Sequence, residues 1–417
     1  MRHVTTVLLA LLWLGCSTDN GANTGANEQP GLDGEAMVPD VTSETPGDIL
    51  AEPDVARELP VFDEVSFIKR PYLQWPTATS VTLLAETNEQ VPLDIVLTYD
   101  GGATHTYSEP RKPEFTFLTM PLDGFDGWSH QVDIMVPEGI GQFELTIANA
   151  PDYQREVVLP QSLDSFTMIA FGDTRTNLDV HQEVSNQIVA EKPLIVFQTG
   201  DLMDSALEVK QWNEFFAIEA GMLESSFYFP IFGNHEVGGE SYYYELFETR
   251  NSYDSERNWY AEWGPVGFIG IEQYKTRWEK DEDALAWLEE SLIKLQDKRW
   301  LIFSHHEPMY TFSNHGAWYE GRETIQPLLE EYGVDLVLSG HNHCYERFEV
   351  NGISYIVTGG GGAPLYSTGT GSEEEMPLLK NWGKFYHFLR LDISDENIHV
   401  TVIDTEEKSV FEEFDVF

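Results

Sequence analysis

The segment Leu338-Ser339-Gly340-His341-Asn342-His343-Cys344-Tyr345-Glu346-Arg347 completes the apolar run Val334 to Leu338. An apolar run of this length bounded by glycine reads as a buried strand, so the two histidines stand where a strand ends and its loop begins. Open α/β sheets keep their sites at that edge. In an extended segment alternate residues share a side, which directs His341 and His343 into one cavity and Asn342 away from it. Taken alone, the pair reads equally well as ordinary polar loop. It gains meaning because the same arrangement, an apolar run followed by a residue able to hold a metal, occurs four more times upstream.

Phe166 to Phe171 leads to Gly172-Asp173, and Leu194 to Phe197 leads through Gln198-Thr199 to Gly200-Asp201-Leu202-Met203-Asp204. Phe227 to Phe232 leads to Gly233-Asn234-His235-Glu236, and Trp300 to Phe303 to Ser304-His305-His306-Glu307-Pro308. Helix-length segments such as Asp179 to Glu191 and Asp283 to Leu295 lie between them, so the repeating unit is strand, site residue, helix. Any single residue of the set is equally a helix cap or a turn residue. Together the five strand ends deliver carboxylate, carboxylate, amide, imidazole and paired imidazoles. Two metal ions ~4 Å apart need a bridging carboxylate with oxygen and nitrogen ligands on either side, and such a pair lowers the pKa of bound water toward ~7.

The rest of the chain frames this segment. The 417 residues, 41% of them hydrophobic, suffice for two globular domains. With 71 acidic against 24 basic residues the formal charge is -47, a field that repels nucleic acid and anionic membrane surfaces. An anionic substrate therefore requires local positive charge, which a metal cluster supplies. Cys16 and Cys344 are the only cysteines, too few for a disulfide framework. Arg2 and His3 precede the apolar run Val7 to Leu14, which ends at Gly15-Cys16, so residues 1–16 read as an export signal. Cys16 resembles the acceptor cysteine of bacterial lipoproteins. Residues 17–60 have the composition of a disordered acidic linker, a tether on such an anchor. From 61 to 161 short alternating runs, among them Ser80 to Ala85, Leu93 to Tyr99 and Phe143 to Ile147, argue for an all-β sandwich.

The motifs Gly172-Asp173, Gly200-Asp201, Gly233-Asn234-His235-Glu236, His306-Glu307-Pro308 and Gly340-His341-Asn342-His343 resemble, in order, those of the calcineurin-like metallophosphoesterases. Gly340 to Arg347, Gly333 to Leu338 and the run Arg70 to Val81 are similar to the purple acid phosphatase branch, whose members open with a fibronectin-like domain. The resemblance implies an α+β chain, with an N-terminal β-sandwich at 61–161 and a four-layer α/β/β/α catalytic domain at 162–417. It implies two metal ions, with Asp201 bridging them, Asp173 and His343 on one, and Asn234, His306 and His341 on the other. His235 would face the substrate phosphate, and His315 would bind phosphate or protonate the leaving group. His305 competes with His306 as a ligand; the family's spacing to the proline and to the outer histidine selects His306.

Two positions depart from that pattern. Where the family completes the first metal with a histidine two residues after the first aspartate, or a tyrosine three after the bridging one, this chain has Arg175 and Asp204. Without the phenolate, the charge-transfer colour and the strong hold on ferric iron have no basis. Arg175 suits bidentate contact with a substrate phosphate. Asp204 reads either as a replacement ligand or as the partner of His235. Similarity to the serine/threonine phosphatases implies the second, with the Asp204 carboxylate hydrogen-bonded to His235 so that the ring donates a proton to the leaving oxygen. The expected protein is an exported phosphomonoesterase working by attack of a metal-bound hydroxide on a small phosphorylated substrate. It would have no nucleic-acid surface and would touch the membrane only through a lipid anchor. The alternatives are a phosphodiesterase or nucleotidase at the same site, and a non-catalytic surface binding module.

Overall fold

The computed structural model describes residues 59–113, 127–253 and 257–417. The export signal, Cys16 and nearly all of the acidic linker lie outside the described residues. The first part contributes seven strands: β1 (Phe67–Gln74), β2 (Ser80–Thr87), β3 (Leu93–Tyr99), β4 (Gly102–Ser108), β5 (Trp128–Met135), β6 (Gln142–Ile147) and β7 (Ala150–Val158). There follow β8 (Phe166–Phe171), α1 (Leu178–Glu191), β9 (Ile195–Gln198), α2 (Val209–Ser225), β10 (Phe227–Pro230), α3 (Glu240–Leu246), β11 (Trp259–Trp263), β12 (Val266–Gly270) and α4 (Glu282–Leu295). The chain continues through β13 (Trp300–Ser304), α5 (Tyr319–Thr324), α6 (Gln326–Glu331), β14 (Leu336–Ser339), β15 (Tyr345–Val350) and β16 (Ile353–Thr358). It closes with β17 (Leu379–Gly383), β18 (His387–Ile393), β19 (Ile398–Asp404) and β20 (Ser409–Val416).

Three sheets result: β20-β19-β18-β8-β9-β10-β1-β2-β5, β11-β12-β13-β14-β16-β15-β17, and β4-β3-β6-β7. The apolar runs around the motifs become short strands with both faces covered, as a central parallel strand requires. β8, β9 and β10 run parallel in the first large sheet, and β12, β13, β14 and β16 in the second. Between the two sheets lies an apolar layer in which Phe197, Phe229, Trp259, Trp263 and Phe268 pack together. α1 and α2 cover the outer face of the first sheet through Val184, Ile188, Trp212, Phe215 and Met222. α4 covers the second with Ala284, Leu288, Leu292 and Leu295, a helical stripe started by Asp281, whose carboxylate accepts from Ala284 N–H at 2.9 Å. The order helix, sheet, sheet, helix is the expected four-layer arrangement.

The strands of 61–161 divide in a way the sequence does not announce. β1, β2 and β5 continue the nine-stranded sheet, because β1 pairs in parallel with β10 at Leu73 and Phe227. β3, β4, β6 and β7 form the separate sheet, and Leu93, Ile95, Phe143 and Leu145 share a core with Leu73, Val81 and Leu83. Tyr72 and Trp75, in the run Arg70 to Val81, are 2% and 4% exposed and belong to the core.

Candidate metal centre

Five parallel strands end at one place. Asp173 follows β8, Asp201 follows β9, Asn234 follows β10, His306 follows β13, and His341 and His343 follow β14. The turns that deliver them are sharp: Asp173, Asp201 and His341 have φ of 57°, 56° and 67°, in the left-handed region that side chains with a Cβ rarely occupy. Close approach of the loops depends on glycine. A Cβ on Gly340 would sit 2.5 Å from Asp173 Oδ2, and one on Gly233 would sit 2.4 Å from Asp201 N. The histidine loop itself is not extended. Asn342 N–H donates to Gly340 O at 2.7 Å and Cys344 N–H to Asn342 O at 2.8 Å, so the expected alternation does not operate. His341 and His343 nonetheless reach one site. Asn342 is buried and holds the next loop, accepting from His315 N–H and donating to His315 O, both at 3.0 Å.

Asp201 is central. On one side its Oδ1 lies 3.2 Å from His306 Nε2, and on the other its Oδ2 lies 3.5 Å from Arg175 Nε. Donor atoms of Asp201, His306 and His341 all lie within 4.8 Å of one another, and Asn234 Oδ1 is 3.0 Å from His341 Nδ1. His306 Nδ1 donates to Thr199 O at 2.7 Å, so in the neutral ring Nε2 carries the lone pair. That Nε2 is buried against the Asp201 carboxylate. An imidazole lone pair, a carboxylate, an amide oxygen and a second imidazole converging in this way fit a metal ion. Across Asp201, Asp173 and His343 supply two further donors, His343 Nε2 lying 3.5 Å from Asp173 Oδ1. His343 is oriented like His306, its Nδ1 donating to Pro364 O at 2.7 Å.

The electrostatics follow from burial. Burial pushes the Asp173 carboxyl up to about 7. It also works against ionising Asp201, but His306 and His235 outweigh it and hold that carboxyl well below the usual carboxylate range. Burial and the charge of His306 bring His341 down to about 3, and burial brings His343 down to about 4, with Arg175 adding to the effect. Burial likewise disfavours the imidazolium of His306, yet Asp201 and Asp173 prevail and raise it to about 10. That proton must leave when an ion binds. His305 points elsewhere: its Nδ1 donates to Glu307 O at 2.7 Å, its ring packs on Trp318, and burial holds it at about 3.

The Asp204–His235 pair differs from expectation. His235 Nδ1 donates to the main-chain carbonyl of Asp204 at 2.7 Å, not to its carboxylate. The carboxylate is already engaged, accepting from Thr176 Oγ1 at 2.7 Å and from Arg175 Nη1 at 3.2 Å. His235 Nε2 is left facing the site, 3.7 Å from Asp201 Oδ2. His315 lies over the centre, its ring 4.5 Å from that of His341. Two residues here were not singled out from the sequence. Fully buried Glu236 accepts from Asp201 N–H, Leu202 N–H and Gly233 N–H at 3.0, 3.0 and 2.7 Å, tying the β9 and β10 turns together. Tyr366 stacks on His343 with ring centroids 4.1 Å apart. Glu236 belongs to the motif Gly233-Asn234-His235-Glu236, whereas Tyr366 stands in no motif.

Residues 166–345 match the family described as calcineurin-like phosphoesterase. The chain is 29% identical over 224 residues to a nucleotide pyrophosphatase/phosphodiesterase of Hordeum vulgare, covering 42% of this chain and 58% of that protein. It is 32% identical over 155 residues to purple acid phosphatase 15 of Arabidopsis thaliana, covering 32% of this chain and 29% of that one. The chain thus spans less than two thirds of either relative. Its fold is similar to that of a purple acid phosphatase from yellow lupin (Lupinus luteus) seeds, with a TM-score of 0.68 at 18% identity over 85% of this chain and 74% of that one. Purple acid phosphatase-like metallophosphoesterases use a dinuclear metal centre, and the cluster at Asp201, His306 and His341 stands where the parallel strands end. Residues 166–345 are accordingly a calcineurin-like metallophosphoesterase segment with purple acid phosphatase homologues, set in a purple acid phosphatase-like fold.

Proposed function

We propose that this chain is an exported, metal-dependent phosphoesterase acting on phosphate monoesters. The observation that carries this reading is His306 Nε2, buried and 3.2 Å from Asp201 Oδ1, beside His341 and Asn234 at the ends of the parallel strands. Asp201, Asn234, His306 and His341 would hold one ion and Asp173, Asp201 and His343 the other. Ions bound there supply positive charge for a phosphate and acidify a water molecule. In a chain of formal charge -47 that charge has to be local.

The remaining roles belong to side chains. His235, with Nδ1 committed to a carbonyl, keeps Nε2 for the phosphate or the leaving oxygen. His315, held by Asn342, stands on the His341 side of the same opening and is the second proton donor. For residues 61–161, seven strands in two sheets around a shared core support the reading as a fibronectin-like sandwich that orients the catalytic part. Export and the lipid anchor rest on residues 1–16 of the sequence.

The same site also suits a phosphodiester, and the name of the Hordeum vulgare relative favours that second reading. The test is hydrolysis of p-nitrophenyl phosphate and of bis-p-nitrophenyl phosphate by metal-stripped protein with and without added divalent ions. Monoesterase activity that appears only with metal is expected. Preference for the diester selects the second reading, and no turnover with either leaves a binding module. His306→Ala should lower turnover by more than the ~10–100-fold that losing a ligand's outer partner costs, with a bound ion lost as well, whereas His305→Ala should keep most activity. Unchanged metal content in His306→Ala overturns the ligand assignment.

A further inference from the structure

The two positions at which the sequence lacks the family's first-subsite ligands are bonded to each other. Arg175 Nη1 lies 3.2 Å from Asp204 Oδ1. From there the guanidinium reaches into the subsite: Nε is 3.5 Å from Asp201 Oδ2, and Nη2 is 3.4 Å from His343 Nε2. With His343 Nδ1 tied to Pro364 O, Nε2 is the lone pair His343 has left, and a guanidinium N–H faces it. On the other side of Asp201, His306 Nε2 is buried against the carboxylate itself, 3.2 Å from Oδ1.

We propose that Arg175 and Asp204 act as a unit that gates the first ion subsite, the guanidinium holding the place between Asp201 and His343, so that two ions bind with unequal affinity. This inference rests on the phosphoesterase reading above. A guanidinium keeps its charge at every working pH, so an ion entering beside it meets undiminished repulsion until the side chain moves out. The loop is built for both states. Asp173 and Thr176 flank Arg175 in left-handed conformations, and Thr176 Oγ1 donates to the same Asp204 oxygen, so Asp204 anchors the loop as well as the charge. The Asp204 side chain is 45% exposed, and a cleft of about 260 Å³ lined by Thr176, Asp204, Lys210 and Gln211 gives the displaced guanidinium room. The ion at Asp201, Asn234, His306 and His341 then binds first.

The experiment is a Zn²⁺ titration of the metal-stripped full chain against a chelating indicator, with ions counted per chain after desalting. The parent protein should retain one ion and bind the second about tenfold or more weakly. Arg175→Gln removes the charge without adding a ligand and should narrow that gap, as should Asp204→Asn, which unties the guanidinium. Arg175→His should retain two ions. The parent titration needs no variant to fold: two ions retained with equal affinity overturn the gate while leaving the phosphoesterase reading intact. A folded Arg175→Gln with an unchanged gap does the same. Retention of no ion in the parent overturns that reading and the gate with it.

Discussion

His235 and Asp204 show what a hydrogen bond to the main chain changes. Because the carbonyl of residue 204 fixes the ring, the side chain at 204 is not needed for the tautomer. Asp204→Asn should therefore leave the pH–rate profile for a substrate with a poor leaving group unchanged in shape. His235→Asn should slow that substrate by about 10²–10⁴-fold and alter the profile. A profile that changes in Asp204→Asn as it does in His235→Asn returns the catalytic role to the carboxylate. The same contrast marks the limit of the sequence. Asp173, Asp201, Asn234, His306, His341 and His343 were legible because each follows an apolar run that had to be a buried strand. Which atom binds which was not, because a carbonyl partner leaves no trace in residue type. Nor did the left-handed φ of Asp173, Asp201 and His341, since no glycine stands at those positions.

At the scale of elements, alternation located β2, β3 and β6, and the helix-length segments left between the strands located α1 and α4, within one or two residues. It did not reveal that β1 belongs to the catalytic sheet, because the Leu73–Phe227 pairing joins segments with no shared local pattern. What fixes β1 there is partly polar. Lys69 on β1 and Glu86 on β2 form an ion pair with side chains 2% and 4% exposed, and Lys69 Nζ also donates to Asn213 Oδ1 on α2 at 3.2 Å. Burial brings Lys69 below its ordinary value, with Glu86 opposing. Glu86→Ala would remove the carboxylate paired with that buried ammonium and should cost about 3–5 kcal/mol in urea unfolding. The double variant Lys69→Met with Glu86→Leu should recover most of it. A single variant as stable as the parent would mean that the pair contributes nothing to seating β1.

The whole molecule couples its fold to pH through histidines outside the centre. His130 lies between Thr87 Oγ1 and Ser108 Oγ, each 3.1 Å away, and His387 Nδ1 donates to Phe385 O at 3.0 Å. Burial brings His130 and His387 each down to about 4, below their ordinary value near 6.5. Above pH ~6.5 both are neutral in the folded and unfolded chain and their titration contributes nothing. As pH falls below that value the unfolded chain binds protons the folded protein refuses, so stability declines until the folded-state values near 4 are reached. Other groups titrate in the same window, including the carboxyls of Asp173 and Glu236, which burial raises and which act in the opposite sense. A difference measurement removes them. His387→Gln cannot take up the proton, so its packing cost is a constant offset and the pH dependence of the gap to the parent isolates one residue. In urea unfolding of the metal-loaded protein the parent's advantage should shrink by about 1.4 kcal/mol per pH unit between pH ~6.5 and ~4, and stay flat above. A gap that is constant across that window would mean His387 is protonated in the folded protein, and its burial against Thr358 and Phe385 would then need another counter-charge.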